Sequence, residues 1–347
     1  MADKAFDMKS EADRAWTVEA MLELGRSYQS SAIMLAAAEL DVFGALSKRP
    51  GTAASTASAL GCDVRAMTIL LDALAALRLL IKTAEEYTLA PGVAETLTAE
   101  SPRTVLAMAQ HQANCLRNWA QLAMVVKTGV PAPDLPTVQG ERGNQEAFIG
   151  AMHNISQPVA DAVIQALAPF NFTHLLDVGG ASGTWTMALL RACPGARATL
   201  FDLPHVIPMA RQRLEASGFG SRVTLVPGDF YTDPLPAHAD LVWISAIVHQ
   251  NSRAENRALF SKAFKCLEPG GEVAVRDILM ETDRTWPTAG ALFAINMLTA
   301  TDSGGTFTLD ELQEDLESAG FGNVRVARRD PAMNSIIVAE RPGRTAA

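Results

Sequence analysis

Apolar positions recur along this chain in two rhythms, and the change between them divides it. From about Ala15 to Leu80 they fall at helical spacing, as in Met34, Leu35, Leu40, Val42 and Phe43, and again in Ile69, Leu70, Leu74, Leu77 and Leu80. Between the two groups Thr52 to Leu60 predicts a short helix, closed by Gly61 and followed by Asp63, a residue type that caps the start of the next helix. A short polar hairpin over Lys82 to Leu89 completes the pattern of a winged helix. Residues 101–169 continue as helix, and beyond residue 170 apolar runs of strand length alternate with helical stretches.

The first of those runs reads LLDVGGASG over residues 175–183. A short apolar run stopped by glycine predicts a buried parallel strand ending at a ligand crevice, and Gly179, Gly180 and Gly183 let the backbone turn tightly and come close to a ligand. The dinucleotide fingerprint G-x-G-x-x-G fails here, because position 181 is alanine. Three later runs add polar residues at their ends. Ala198 to Leu203 ends in Asp202, about 20 residues past the glycines, where an acidic side chain accepts from ribose hydroxyls. Val223 to Phe230 ends in Asp229 beside an aromatic ring, and Ala239 to Val248 delivers His249. Four such strand ends in register make one crevice.

The end of the chain bears on topology. A helix over Leu309 to Ala319 leads through GFGN into strands Val324 to Arg328 and Ser335 to Glu340, joined by RDPAMN. So short a link cannot make a parallel crossover, so this last pair is antiparallel. That hairpin separates the sheet from the dehydrogenase type.

The string LLDVGGASG followed by FDLPHVI, VPGDF and a histidine after the fourth strand resembles the class I S-adenosylmethionine-dependent small-molecule O-methyltransferases related to caffeic acid and acetylserotonin O-methyltransferases. The resemblance covers nearly the whole chain. It implies an α/β fold: a Rossmann-like, mostly parallel sheet of seven strands ending in an antiparallel hairpin over 170–347, an all-helical winged-helix domain for homodimerisation over 1–100, and a helical linker and substrate lid over 101–169. It implies that Gly179, Gly180 and Gly183 pass the methionine part of S-adenosylmethionine, that Asp202 holds the ribose, and that Asp229 with Phe230 brackets the adenine. Asp177, Leu203, Ser156 and Ser245 join them as cofactor contacts, S-adenosylhomocysteine being the product. His249 matches the family's general base and Asp277 one of the two acidic residues that flank it in plant relatives. The second acid has no match, since Thr306 and Phe307 occupy its stretch; Gln250 replaces a common aspartate, and Ser245 stands where a lysine often is.

Methyl transfer from a sulfonium requires alignment of donor and acceptor and exclusion of water, and it needs no metal. A phenolic hydroxyl, of pKa about 10, needs a base such as histidine, of pKa about 6.5. Phe148 and Met152 stand four apart on one helix face, the F-x-x-x-M step that the resemblance gives to a lid over an aromatic substrate. With Trp119, Trp243, Phe293, Asn296, Met297 and Phe307 they are candidate wall residues for a small hydrophobic or aromatic acceptor, although such residues at helical spacing equally build an ordinary core. Methylation of ring carbon, or cofactor binding without transfer, stays open as an alternative.

Composition narrows the remaining classes. A chain of 347 residues, 48% hydrophobic and 19% charged, buries a large core and is long enough for two domains. A winged helix also suggests a DNA-binding regulator, but residues 1–100 carry 14 acidic and 9 basic side chains, a net of −5, and the whole chain is −9. The stretch from Asp63 to Leu80 offers only Arg65 and Arg78 among leucines, which suits burial against a partner subunit better than a phosphate backbone. No apolar stretch has the length of a membrane span, and the opening MADKAFDMKSEADR is not a secretory signal, so cytoplasm is the expectation. The four cysteines show no C-x-x-C spacing and suggest neither disulfides nor zinc.

Overall fold

The computed structural model describes residues 15–343 apart from Ala168 and Phe170; the MADKAFDMKSEADR opening lies outside the described residues. The chain divides into two compact units, 1–109 and 110–347. The first contains helices Val18–Arg26 (α1), Tyr28–Glu39 (α2), Val42–Lys48 (α3), Ala53–Leu60 (α4), Val64–Ala76 (α5) and Val93–Leu97 (α6), with strands Gly51–Thr52 (β1), Leu80–Thr83 (β2) and Glu86–Leu89 (β3). Its boundaries follow local chemistry. Thr52 Oγ1 accepts from the Ser55 amide at 3.2 Å and Asp63 Oδ1 from the Ala66 amide at 2.8 Å, so α4 and α5 begin at their caps. The helical spacing through Met34 to Phe43 is shared between α2 and α3, parted at Asp41, whose φ of 57° is left-handed. The wing hairpin β2–β3 gains β1 as a third strand, in the order β1-β3-β2, so this unit is not wholly helical. On α5, Met67, Leu71 and Leu74 are buried while Val64 and Ile69, and Leu77 just past its end, are exposed.

Helix Leu106–Trp119 (α7) crosses the division, and Leu122–Thr128 (α8), Gly140–Ser156 (α9) and Ala160–Leu167 (α10) follow it. Then come His174–Val178 (β4), Thr184–Ala192 (α11), Arg197–Asp202 (β5), Ile207–Ala216 (α12), Val223–Pro227 (β6), Ala239–Ser245 (β7), Arg253–Cys266 (α13), Leu267–Asp277 (β8), Leu279–Met280 (β9), Thr288–Ala300 (α14), Phe307–Thr308 (β10), Leu309–Ser318 (α15), Gly322–Arg328 (β11) and Ser335–Glu340 (β12). The main sheet runs β11-β12-β8-β7-β4-β5-β6. β12 is antiparallel to both neighbours, as the short link requires, and the other pairings are parallel. Strand order reverses beside β4, and such a reversal opens a crevice at the carboxyl ends.

Alternation along the strands builds a core on each face. Trp243 and Ala274 pack with Ile164, Trp185 and Leu189 on one side, and Val242 and Val275 with Phe260, Leu316 and Ile337 on the other. Two strands end earlier than their apolar runs predict. β6 stops at Pro227, leaving Asp229 and Phe230 on a loop, and β7 stops at Ser245. Ala246 then takes a φ of 58°, and a single 3-10 turn, Val248–Gln250, carries His249.

Candidate active site

The crevice is a cavity of about 1030 Å³ in the second unit. Its floor is the turn after β4. Gly179 has a φ of 67°, and a Cβ there would stand 2.6 Å from Ile247 Cδ1; one on Gly180 would stand 2.7 Å from Leu200 Cγ. Only glycine fits both positions, so backbone forms this part of the wall. Asp202 Oδ2 accepts from the Ala181 amide at 2.7 Å and Oδ1 from its neighbour Leu203 at 2.7 Å, which ties the turn to the end of β5. Burial raises the Asp202 carboxyl, and these two amides oppose the rise.

Asp177, at the end of β4, is 1% exposed, and Thr186 Oγ1 donates to its Oδ2 at 2.5 Å. Burial pushes this carboxyl up to about 7, with the Asp202 charge adding to the rise. Lys262 Nζ donates to the carbonyls of Phe230, Tyr231 and Asp233 at 2.7, 3.0 and 2.8 Å, which pins the loop bearing Asp229 and Phe230. Ser156 Oγ accepts from Trp185 Nε1 at 3.2 Å, and Ser245 Oγ from Arg276 NH1 at 2.9 Å.

Of the residues expected at the cofactor, Asp177, Gly179, Gly180, Asp202, Leu203, Asp229, Phe230, Ser245 and Ser156 all line this cavity. Gly183 does not. Its φ of 79° places it before α11, and a Cβ there would meet Leu214 at 3.2 Å, so it serves the contact between that turn and α12.

His249 and Asp277 form a buried pair, 9% and 4% exposed. Nδ1 of His249 lies 2.9 Å from each carboxylate oxygen of Asp277. A carboxylate oxygen accepts, so Nδ1 carries the hydrogen, and in the neutral ring Nε2 then keeps its lone pair. The Phe293 ring stands edge-on to the imidazole at 4.8 Å, and the His249 carbonyl accepts from the Gly305 amide at 2.8 Å. Neither His249 nor Asp277 is itself part of the cavity lining, whereas Ile247 and Gln250, on either side of His249 in sequence, are.

The residues expected to wall an acceptor are only partly at the cavity. Phe148 and Met152 line the cavity, and Trp119, Asn296, Met297 and Phe307 do not. Trp119 Nε1 instead donates to Asn296 Oδ1 at 3.0 Å, while Met297 and Phe307 are buried and Trp243 lies in the core beneath the sheet. In their place α7 contributes Asn114, Arg117 and Asn118, and α9 contributes Glu141, Asn144 and Gln145. This part of the wall is polar, and apolar periodicity gives no signal for it. Arg276, also in the wall, directly follows the apolar run 273–275 of β8. The four cysteines are free, and the described residues hold no cluster of side chains suited to a metal.

A glycine-floored turn, flanked by acidic strand ends and backed by a buried cation, fits a ligand with a ribose and a charged amino-acid end, as S-adenosylmethionine has. Known proteins agree with that geometry. Residues 129–322 match the O-methyltransferase domain and residues 22–100 the O-methyltransferase dimerisation domain. The chain is 32% identical over 311 residues to the tetracenomycin polyketide synthesis 8-O-methyl transferase TcmO of Streptomyces glaucescens, covering 88% of this chain and 91% of that one. It is 30% identical over 323 residues to the 3-hydroxy-5-methyl-1-naphthoate 3-O-methyltransferase of Streptomyces sahachiroi, covering 91% and 93%. The human N-acetylserotonin methyltransferase, solved in complex with its cofactor, superposes with a TM-score of 0.78 at 25% identity over 96% of this chain and 99% of that one. Fold, cavity and relatives lead to one conclusion: the chain belongs to the S-adenosylmethionine-dependent O-methyltransferases.

Proposed function

We propose that His249 is the general base for methylation of a hydroxyl on a small, oxygenated aromatic acceptor. The observation that carries this reading is the two-oxygen contact of Asp277 with Nδ1, which turns Nε2 into the proton acceptor and holds the ring in one orientation. Around the cofactor, Gly179 and Gly180 pass the methionine part, Asp202 takes the ribose hydroxyls on its free lone pairs, and Asp229 with Phe230 brackets the adenine. When bound, S-adenosylmethionine supplies a methyl group on a sulfonium, whose positive charge is lost in an in-line displacement. The chain's own work is to orient the acceptor, exclude water and receive the hydroxyl proton at His249 Nε2.

The polar wall supports an acceptor that carries hydrogen-bonding oxygens besides the one methylated, while Phe148 and Met152 offer its ring a flat apolar contact. A homodimer is part of the same reading. Trp16, Val18, Met21, Leu22 and Leu24, at and before α1, are exposed apolar side chains in or beside the segment that matches a dimerisation domain. His249→Ala tests the base: turnover falls by roughly 10² to 10⁴ while S-adenosylhomocysteine binds as before. Unchanged turnover on a panel of phenolic and naphtholic acceptors sinks the assignment.

A further inference from the structure

Arg276 is 3% exposed and stands in the cavity wall. Its guanidinium lies 4.2 Å over the Trp185 ring; NH1 donates to Ser245 Oγ at 2.9 Å, and Nε and NH2 donate to Asn334 Oδ1 at 3.0 and 2.8 Å. All three partners are neutral. The two carboxylates whose charge reaches Arg276 are engaged elsewhere, Asp277 with His249 and Asp330 with Arg328. Burial accordingly pulls the guanidinium down to about 10. A buried cation held by neutral groups is costly, and a ligand carboxylate at the same wall offsets that cost.

Sheet geometry indicates which carboxylate. Arg276 and Asp277 are neighbours on β8, so their side chains leave opposite faces. Asp277 faces the His249 side, and Arg276 faces Trp185 on α11, whose indole donates to Ser156 in the cavity lining. Under the cofactor reading given above, adenine lies beyond β6 and ribose at β5. The amino-acid end therefore extends over β4 toward β7 and β8, the strands that bring Ser245 and Arg276. We propose that Arg276 holds the carboxylate of the cofactor's amino-acid end. Three of the five N–H groups of its guanidinium are engaged by Ser245 and Asn334, and the others donate to that carboxylate.

The test is calorimetry on the full chain with three probes: S-adenosylhomocysteine, its methyl ester, and methylthioadenosine, which lacks the amino-acid end. Arg276→Met is expected to bind S-adenosylhomocysteine roughly tenfold to a hundredfold more weakly and methylthioadenosine unchanged. The ester weakens binding to the parent protein by a similar factor and costs the variant nothing further, because the interaction is already gone. The ester on the parent protein needs no variant and so does not depend on Arg276→Met folding. Equal weakening of all three probes by Arg276→Met makes the residue a support of the wall and overturns the proposal. So does unchanged binding of S-adenosylhomocysteine by the variant with a raised KM for a carboxylated acceptor. If the parent protein binds none of the three, the cofactor reading of the cavity fails, and not the Arg276 assignment alone.

Discussion

Asp277 meets the Nδ1 of His249 with both carboxylate oxygens, each at 2.9 Å, and one of them also accepts from the Ile278 amide at 2.8 Å. The carboxylate is thus held by the backbone just past its own strand while it orients the imidazole. Asp277→Asn keeps the volume but supplies an amide that can donate to Nδ1 and so favour the wrong tautomer. Turnover is expected to fall by at least about tenfold, toward the range seen on losing a general base, with S-adenosylhomocysteine affinity unchanged. Steady-state kinetics beside calorimetry checks this, and a parallel loss of cofactor binding argues against it.

Gly179 admits no side chain. Its φ of 67° and the 2.6 Å approach of Ile247 to an added Cβ mean that Gly179→Ala both strains the turn and pushes Ile247 into the cavity. Strain and overpacking of this kind cost about 1–3 kcal/mol each, so cofactor affinity is expected to drop by roughly tenfold or more. Gly195→Ala, where a Cβ meets nothing within 4 Å, is the control and binds as the parent does.

Stability should respond to pH through Asp177. Its carboxyl ordinarily titrates at 3.8 and is raised to about 7 by burial, so the folded chain binds a proton between those values that the unfolded chain has released. Folding is therefore favoured as pH falls from about 7 toward 3.8, and ionisation of this group destabilises the protein above about 7. His153 works the other way: burial lowers it from 6.5 to about 4, so its contribution is lost as pH falls through that window. Asp177→Asn is expected to raise Tm without cofactor at pH 8, the gain shrinking toward pH 5. Equal Tm differences at both pH values would contradict the buried-carboxyl account.

Lys262 acts from outside on the cavity loop that bears Asp229 and Phe230. Its ammonium holds three carbonyls between Phe230 and Asp233, and Lys262→Met removes all three bonds at once. Bonds to a charged group are worth about 1.5–3 kcal/mol when buried and less when part-exposed as here, so affinity for S-adenosylhomocysteine is expected to fall several-fold. Hydrogen exchange at residues 229–233 should speed up at the same time. A loss of affinity without faster exchange contradicts the loop-pinning account.

Local and periodic features of this chain are legible in its sequence. Thr52, Gly61 and Asp63 mark helix ends because capping involves residues a few positions apart, and the short link before Ser335 dictates an antiparallel pair because the chain has no length to cross over. Asp177, Asp202, Asp229 and Ser245 reach one cavity because parallel strands in register end together, while His249 stays out of its lining. Tertiary packing decided the rest. Trp119 meets Asn296 across 177 positions and leaves the cavity, Gly183 turns toward Leu214, and residues of α7 and α9 with no apolar rhythm become part of the cavity wall. The tautomer of His249 and the buried charge of Arg276 depend on groups 28 and 58 residues away, Asp277 and Asn334. No repeat along the chain encodes such contacts, since they arise only when the sheet brings distant strands side by side.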